Sequence, residues 1–465
     1  MNLSQENWTK LSQELFTKIL FKPQDKETLG DQMLVQQLQT KSQVATEFVY
    51  PQYDENCISQ IPDTILTLFG VQKQNNDGAL NDPLLNAALP DKVSKVVLLV
   101  IDGFGFNQFQ HYYKENPFLS NLVSNGEVYP KTSVFPSQTT NALTTLNTGL
   151  TPQQHGLFEY FVFLKSIGVV NTLRFERLGK RRPSSLLEEG FDPSILLYKS
   201  QTIHETLAER GVASFTHMHA SNALNICSKL IFRGSQIKPS PNAFETVSAL
   251  RSTLEANRDK NAYFFVHLDT LDTISHVYGP GSFEYQAELS RLTYLLNKEL
   301  IEKIDPKTAK ETLLLVTADH GAVNVNPAET TYLNYLPKTL LNLKRGPDRK
   351  PIMPTGSPRE VFLHIKENKL QETKEWLIQK ISGKAQVLET SEAVESGLFG
   401  SGDPSQDVLD RLGNLMILPF GNGTVWFESP GGCKLSYLGQ HGGLSGQEML
   451  VPFGAACLNS LKSGA

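Results

Sequence analysis

The stretch Val96-Val97-Leu98-Leu99-Val100-Ile101-Asp102-Gly103-Phe104-Gly105 decides the fold class. Its apolar run, rich in β-branched residues, is the pattern of a strand buried on both faces, and an acidic residue and glycines end it abruptly. In an open α/β sheet that point is the carboxyl end of a strand, where catalytic groups collect. Two further stretches repeat the pattern. Phe265-Val266-His267-Leu268 runs into Asp269, Asp272 and His276, and Leu313-Leu314-Leu315-Val316-Thr317-Ala318 runs into Asp319-His320-Gly321. A fourth segment, Gly439-Gln440-His441-Gly442-Gly443, sets an imidazole between glycines. Helical segments alternate with these strands, among them Asn141-Ala142-Leu143-Thr144-Thr145-Leu146-Asn147-Thr148-Gly149 and a helix opened by Gln201 to Leu207 before Gly211. The expected architecture is α/β, with a mostly parallel central sheet and helices on both faces.

Outward from the strands, the chain divides into three parts. Leu11, Leu15, Ile19 and Leu20 lie at helical spacing, and Asn75-Asn76-Asp77-Gly78 and Asn81-Asp82-Pro83 are turn signals, so residues 1–92 are expected to form a helical leader packed on the core. Residues 93–330 and 431–465 are expected to form the metal-binding catalytic core. Between them, residues 331–430 read as an inserted α+β cap subdomain. Its expected elements are a strand at Glu360–Ile365, a helix at Leu370–Ile381, a strand at Ala385–Glu389, a turn at Gly400–Pro404, and two strands around Leu415–Phe420 and Thr424–Phe427.

Composition narrows the function classes. A chain of 465 residues is long enough for a large core. Its 48 acidic and 43 basic residues give a net charge of −5, and Lys180-Arg181-Arg182 is the longest basic run, so no polymeric nucleic acid is expected as partner. Cys57, Cys227, Cys433 and Cys457 are far apart, which points to free thiols rather than a disulfide framework or a zinc ribbon. The N-terminus lacks the apolar core of a signal peptide, and no apolar run approaches membrane-spanning length. A cytoplasmic protein that does not engage membranes is expected; the pattern does not specify an oligomeric state.

Each polar segment has an ordinary explanation when taken alone. Asp102 suits a turn or helix cap, Asp319-His320 a strand end, and His441 a surface loop. Asp272 and His276 are four apart and would share one face of a helix turn, while Asp269, seven before His276, competes for the same role. The set carries the meaning: Asp102, Asp272, Asp319, His276, His320 and His441 supply the mixed carboxylate and imidazole donors that suit Zn²⁺ or Mn²⁺. Ser137, Thr139 and Thr140 stand where a helix begins, and the N–H groups and dipole of a helix N-terminus stabilise phosphate oxygens. Any of the three hydroxyls is a candidate nucleophile.

Together the segments Val100–Gly105, Val134–Gly156, Asp272–Pro280, Thr317–Gly321 and Gly439–Gly443 closely resemble the alkaline phosphatase superfamily. Within it they resemble the type I phosphodiesterase and nucleotide pyrophosphatase family, from about Lys95 to Leu444. The resemblance implies an alkaline phosphatase-like fold and two divalent ions, Zn²⁺ with Mn²⁺ as the alternative. One ion would be held by Asp102, Thr139, Asp319 and His320, the other by Asp272, His276 and His441. The family's Asp-x-x-x-His-x-x-Gly-Pro pattern selects Asp272 over Asp269. In the nucleotide pyrophosphatases a Thr directly precedes Phe-Pro-Asn, but Val134 holds that place here. Counting ten residues back from Gly149 gives Thr139 as the implied nucleophile, with Thr140 and Ser137 as alternatives. The family's phosphate-contacting Asn has no counterpart at its offset, since Asn141 falls one residue short.

The activity so implied is hydrolysis of phosphodiester or pyrophosphate bonds of small, nucleotide-like substrates through a phosphothreonine intermediate. The absence of Lys or Arg shortly after the nucleophile motif favours diesters. The alternatives are a phosphomonoesterase or phosphonate hydrolase on the same scaffold, and a noncatalytic metal-dependent binding protein. His155, in the family's Pro-x-x-His-Gly element, is expected to support the nucleophile helix; His217, His219, Tyr160 and Phe161 are expected to pack rather than react.

Overall fold

The buried apolar runs form the spine of a seven-stranded sheet, seen in a computed structural model that describes residues 48–71, 88–179, 182–197, 201–428 and 434–462. Its strands are β1 (Lys95–Ile101), β2 (Glu127–Thr132), β3 (Ala213–His219), β4 (Gln236–Ser240), β5 (Ala262–Leu268), β6 (Thr312–Thr317) and β7 (Leu450–Cys457). They lie in the order β2-β7-β6-β1-β5-β3-β4. All pairings from β6 to β4 are parallel, whereas β7 runs antiparallel to both β6 and β2. The sheet is mixed, mostly parallel and flanked by helices, as expected. Every residue of β1, β5 and β6 is buried, which a strand achieves only when both faces of the sheet are covered.

The centre of this sheet positions the polar segments. β1 lies between β5 and β6, with Ile101 opposite Leu268 and Val100 opposite Thr317, so three neighbouring strands end at one level. Asp102, the loop after Leu268 and the Ala318–His320 turn therefore emerge side by side. From β1 the chain leaves to the β2 edge and later returns to fill β5 on the other flank, and ligand sites sit where an open sheet reverses direction in this way.

The antiparallel strand β7 and its edge partner β2 were not legible as strands. β7 contains Pro452 and Gly454, and β2 contains Pro130, which faces Pro452 across the pair. The sheet tolerates Pro452 because β7 pairs with β6 only from Gly454 to Cys457, leaving the proline beyond that ladder.

Helix α1 (Thr139–Thr148) follows β2, and α2 (Thr270–Tyr278) follows β5. From Thr140 to Thr148 α1 is wholly buried despite its polar composition. Burial is tolerable because hydroxyls donate back along the helix, Thr144 to Thr140 O at 2.6 Å and Thr148 to Thr144 O at 2.8 Å. Two buried imidazoles buttress the same helix: His155 Nε2 lies 3.1 Å from Thr145 Oγ1, and His204 Nε2 lies 2.9 Å from Asn147 Oδ1. Gly149 ends the helix in the left-handed conformation, φ 69°.

A second, antiparallel sheet joins Thr355–Ser357, Glu360–Leu363, Leu415–Pro419 and Ala385–Glu389 in that order. With the helix Leu370–Lys380 it encloses an apolar cluster that includes Leu333, Leu363, Leu377 and Ile417. A further cluster of Phe135, Phe158, Phe362, Phe399 and Leu444 packs this sheet against the loops before α1 and after His441. Val425–Trp426 pairs in parallel with Thr331–Tyr332, and a small sheet of Phe161–Leu164, Gly168–Asn171 and Glu176–Arg177 was not anticipated. Phe48–Ala465 forms one compact unit. The helical spacing at Leu11 to Leu20 and the turns at Asn75 to Pro83 lie outside the described residues. The described part of the leader contains the helix Ile61–Leu68 and packs on the core, with Val49 N–H donating to Leu444 O at 2.7 Å and Thr132 N–H to Asn56 O at 2.8 Å. Cys57 and Cys227 are buried free thiols and Cys457 is a half-buried one; Cys433 is outside the described residues. Among the described residues no helix is long and apolar enough to cross a membrane.

Burial holds both buttressing histidines far below the usual imidazole range, His155 and His204 each at about 3. The unfolded chain takes up these protons below its ordinary value of about 6.5, whereas the folded chain does not, so stability falls as pH drops from about 6.5 towards 3, by about 1.4 kcal/mol per pH unit for each histidine. Urea unfolding measured between pH 7 and 5 is expected to show this loss, and His204→Gln is expected to remove one histidine's share of the slope.

Candidate active site

Each strand end delivers its side chains by local geometry. Gly103 adopts φ +72°, and a Cβ there would meet the Asp272 side chain at 3.0 Å, so only glycine lets β1 turn this close to α2. On α2, Asp272 and His276 share one face, with His276 Nε2 3.3 Å from Asp272 Oδ2. After β6, the N–H groups of Gly103 and His320 both donate to Asp319 Oδ1, at 3.1 and 3.0 Å, which fixes that carboxylate against the β1 loop. His441 follows the short strand Gly439–Gln440, itself paired with Val323–Asn324.

The result is two donor groups, Asp102 with Asp319 and His320, and Asp272 with His276 and His441; within each group the candidate ligand atoms lie within 4.8 Å of one another. All six side chains expected from sequence converge. Asp269 does not join them and instead accepts from Asn222 Nδ2 at 2.7 Å. His219 bonds Ser221 and Pro241 O outside the site, and His217 is buried in β3.

The three imidazoles are held alike. Their Nδ1 atoms donate to backbone carbonyls: His276 to Gly439 O at 2.8 Å, His320 to Gly321 O at 2.9 Å and His441 to Ser137 O at 3.1 Å. Each Nε2 lone pair is thereby aimed into the site, the tautomer a metal ligand needs. His441 Nε2 and His276 Nε2 face each other at 3.2 Å, and His320 Nε2 lies 3.3 Å from Asp319 Oδ2 and 3.6 Å from Asp102 Oδ1. Lone pairs and carboxylates set this close suit a positive charge between them. Asp102 Oδ1, Asp272 Oδ1 and Asp319 Oδ2 are buried oxygens without a hydrogen-bond partner, one from each carboxylate. The donor types and these orphaned oxygens fit two divalent cations of the Zn²⁺ or Mn²⁺ kind.

Electrostatics describe the same constraint. Burial, and then the charges of Asp319 and Asp272, push the Asp102 carboxyl well above the usual carboxylate range. Burial acts upward on Asp272 too, but His276, His441 and His320 outweigh it and hold that carboxyl low. Burial pulls His276 down while Asp272 lifts it to about 9; burial, reinforced by His320, holds His441 well below its ordinary value.

Thr139 opens α1 and is the only residue from Lys131 to Thr148 that is not fully buried. Its Oγ1 lies 3.1 Å from His320 Nε2. Ser137 is fully buried and committed to the His441 loop, donating to Gly443 O at 2.8 Å and accepting from Gly442 N–H at 3.1 Å. Thr140 is buried, and Asn141 Nδ2 donates to Pro136 O at 2.7 Å, turned into the loop before the helix.

Several residues around the site escaped the sequence reading. His267, fully enclosed on β5, donates from Nε2 to Asp102 Oδ2 at 2.9 Å; a histidine inside an apolar strand was the available signal. Arg359 and Glu448 form a fully buried bidentate pair, Nε to Oε1 and Nη2 to Oε2 both at 2.9 Å. Glu448 accepts from Gly443 N–H and from the Ser445 hydroxyl, so this pair clamps the loop that carries His441. Gln138 Nε2 donates to His441 O at 3.1 Å, and Gly442 at φ +120° would drive any Cβ into Glu360, Gln138 and Ser357. Burial pushes the carboxyls of Glu360 and Glu159 up, Glu360 further by the charge of Glu159, and Glu159 to about 7.

The chain is similar to known proteins in sequence pattern and in fold. A model of the type I phosphodiesterase / nucleotide pyrophosphatase family matches residues 96–443. Murine ectonucleotide pyrophosphatase / phosphodiesterase 5 is similar in structure with a TM-score of 0.57 and 20% identity, over 78% of this chain and 88% of that one. Phosphonoacetate hydrolase from Sinorhizobium meliloti 1021, solved with phosphonoformate, gives 0.55 and 18% over 81% and 95%. At these identities the likeness is one of fold. No curated protein matches the chain.

Removing one partner of a buried ion pair strands the other charge, at a cost of about 3–5 kcal/mol. Glu448→Ala is expected to lose stability on that scale in urea unfolding, whereas Arg359→Met combined with Glu448→Met is expected to recover most of it.

Proposed function

Because the chain belongs to the type I phosphodiesterase / nucleotide pyrophosphatase family of the alkaline phosphatase superfamily, we propose that it hydrolyses phosphodiester or pyrophosphate bonds of small, nucleotide-like substrates with Thr139 as nucleophile. The observation that carries the assignment is the position of Thr139: the single open hydroxyl at the start of a buried helix, 3.1 Å from His320 Nε2 and beside the first donor group. Asp102, Thr139, Asp319 and His320 would hold one divalent ion, and Asp272, His276 and His441 the other. Two such ions would screen the phosphate charge, lower the pKa of the Thr139 hydroxyl and stabilise the leaving oxygen.

The chain's own groups set the course of the reaction. The first turn of α1 directs backbone N–H groups at the phosphate that Thr139 attacks. A bond forms from Thr139 Oγ1 to phosphorus as the hydroxyl loses its proton, and the bond to the leaving oxygen breaks on the opposite side, toward Asp272, His276 and His441. Water then displaces Thr139 from the phosphothreonine, so two inversions give net retention at phosphorus. His267 keeps Asp102 oriented through Oδ2, leaving Oδ1 turned into the site.

Among the described residues, the charges acting most strongly on Asp102, Asp272, His276 and His441 are those of carboxyls and imidazoles, the site's own and Asp269, with no guanidinium or ammonium among them. That favours a diester over a dianionic monoester. Phosphonates are the second reading, since a phosphonoacetate hydrolase shares the fold. The full donor set argues against a noncatalytic binding protein. Residues 1–92 would form a leader, 93–330 and 431–465 the core, and 331–430 an inserted cap, which the separate antiparallel sheet and its own apolar cluster support. The free thiols among the described residues support a cytoplasmic location.

With Zn²⁺-loaded protein, bis(p-nitrophenyl) phosphate is expected to be hydrolysed faster than p-nitrophenyl phosphate or phosphonoacetate. Thr139→Ala is expected to lower kcat by about 10³-fold or more, because it removes a group that acts only in the chemical step. Thr140→Ser is expected to keep the activity; a fully active Thr139→Ala would end the assignment. Chelation should abolish turnover, and added Zn²⁺ or Mn²⁺ should restore it.

A further inference from the structure

We infer that Tyr437 forms a leaving-group subsite, an aromatic platform that receives a planar apolar substituent departing from phosphorus. The inference rests on the phosphoryl-transfer reading above and adds the chemistry of the departing group. In an in-line displacement the leaving oxygen departs opposite the nucleophile. Thr139 stands beside the group of Asp102, Asp319 and His320, so the departing substituent passes over the group of Asp272, His276 and His441.

Tyr437 is the aromatic side chain at that exit. Its ring centroid lies 5.0 Å from that of His276, with 31° between the planes, and the residue is 49% exposed. The ring is thus backed by a donor-group imidazole while much of its surface stays open. Its backbone is tied to the same helix turn. Leu438 N–H donates to His276 O at 2.8 Å, and Gly439 O accepts from His276 Nδ1 at 2.8 Å. Ordering Tyr437 therefore costs little beyond what already orders His276. Leu438 beside it, and Val277 and Tyr278 directly after His276, are also more than two-fifths exposed. A flat substituent stacking on the open part of Tyr437 would reach it while its ester oxygen stayed at the second donor group.

The test is binding in Zn²⁺-loaded Thr139→Ala protein, followed by calorimetry with phenyl phosphate and methyl phosphate. Phenyl phosphate is expected to bind about 2- to 12-fold more tightly than methyl phosphate, the range of an aromatic stacking contact. Tyr437→Ala is expected to abolish that advantage and leave methyl phosphate unchanged, and Tyr437→Phe to retain it. Equal affinities in the parent protein, or a phenyl advantage that survives Tyr437→Ala, would overturn the inference. So would an equal weakening of both ligands, which would mean that Tyr437 acts through His276 alone. Turnover of diesters by protein with Thr139 intact judges the phosphodiesterase reading separately. Loss of turnover with the phenyl preference preserved removes the reading and keeps the platform; turnover without the preference does the reverse.

Discussion

Three carboxylates face three imidazoles at one end of the central sheet, Asp272 and His276 half-buried and the other four side chains buried, and much of the structure serves to hold that arrangement. Carboxylates brought together out of water repel one another, so a covalent frame and backbone hydrogen bonds must hold them in place, and the donor set suits a cation between them. The frame is visible at each histidine, whose Nδ1 is fixed on a backbone carbonyl, and at each carboxylate, which leaves one buried oxygen unpaired. Both donor groups depend on this shared device.

The two sheets contribute in different ways. The central sheet places three strand ends at one level, which is enough to assemble Asp102, the α2 pair and Asp319-His320. It does not place His441. That residue is carried by a loop clamped from the second sheet, through Ser357 and Glu360 beside Gly442 and through the buried Arg359–Glu448 pair. The second donor group is thus completed by residues that fold with the inserted segment, and its geometry depends on the packing of the Phe135, Phe158, Phe362 and Phe399 cluster between the sheets.

The proposed nucleophile illustrates how burial distinguishes chemically equivalent residues. Ser137, Thr139 and Thr140 offer the same hydroxyl within four positions, yet Ser137 is spent on the Gly442–Gly443 turn and Thr140 is enclosed. Of the three, Thr139 alone is not buried, at the first position of the helix and 3.1 Å from His320 Nε2. The buried polar helix behind it is kept in place by its own threonines and by His155 and His204, which makes the site sensitive to the protonation of groups that never touch substrate.

The apolar runs and the residues that end them determined the parallel core and the two helices, because a strand buried on both faces leaves a clear local pattern; the six carboxylate and imidazole donors were candidates only as a set, and the family pattern chose Asp272 over Asp269. The family pattern supplied the register that singles out Thr139. What only the tertiary structure decided is everything set by contacts between distant segments. The proline-bearing strands β2 and β7 become strands only through their partners; His267 becomes a support for Asp102 only because β1 and β5 are neighbours. Arg359 meets Glu448, 89 residues on, because the insertion folds back over the His441 loop. A local pattern records how a segment meets solvent and core, whereas pairing across the chain is fixed by packing that no single segment encodes.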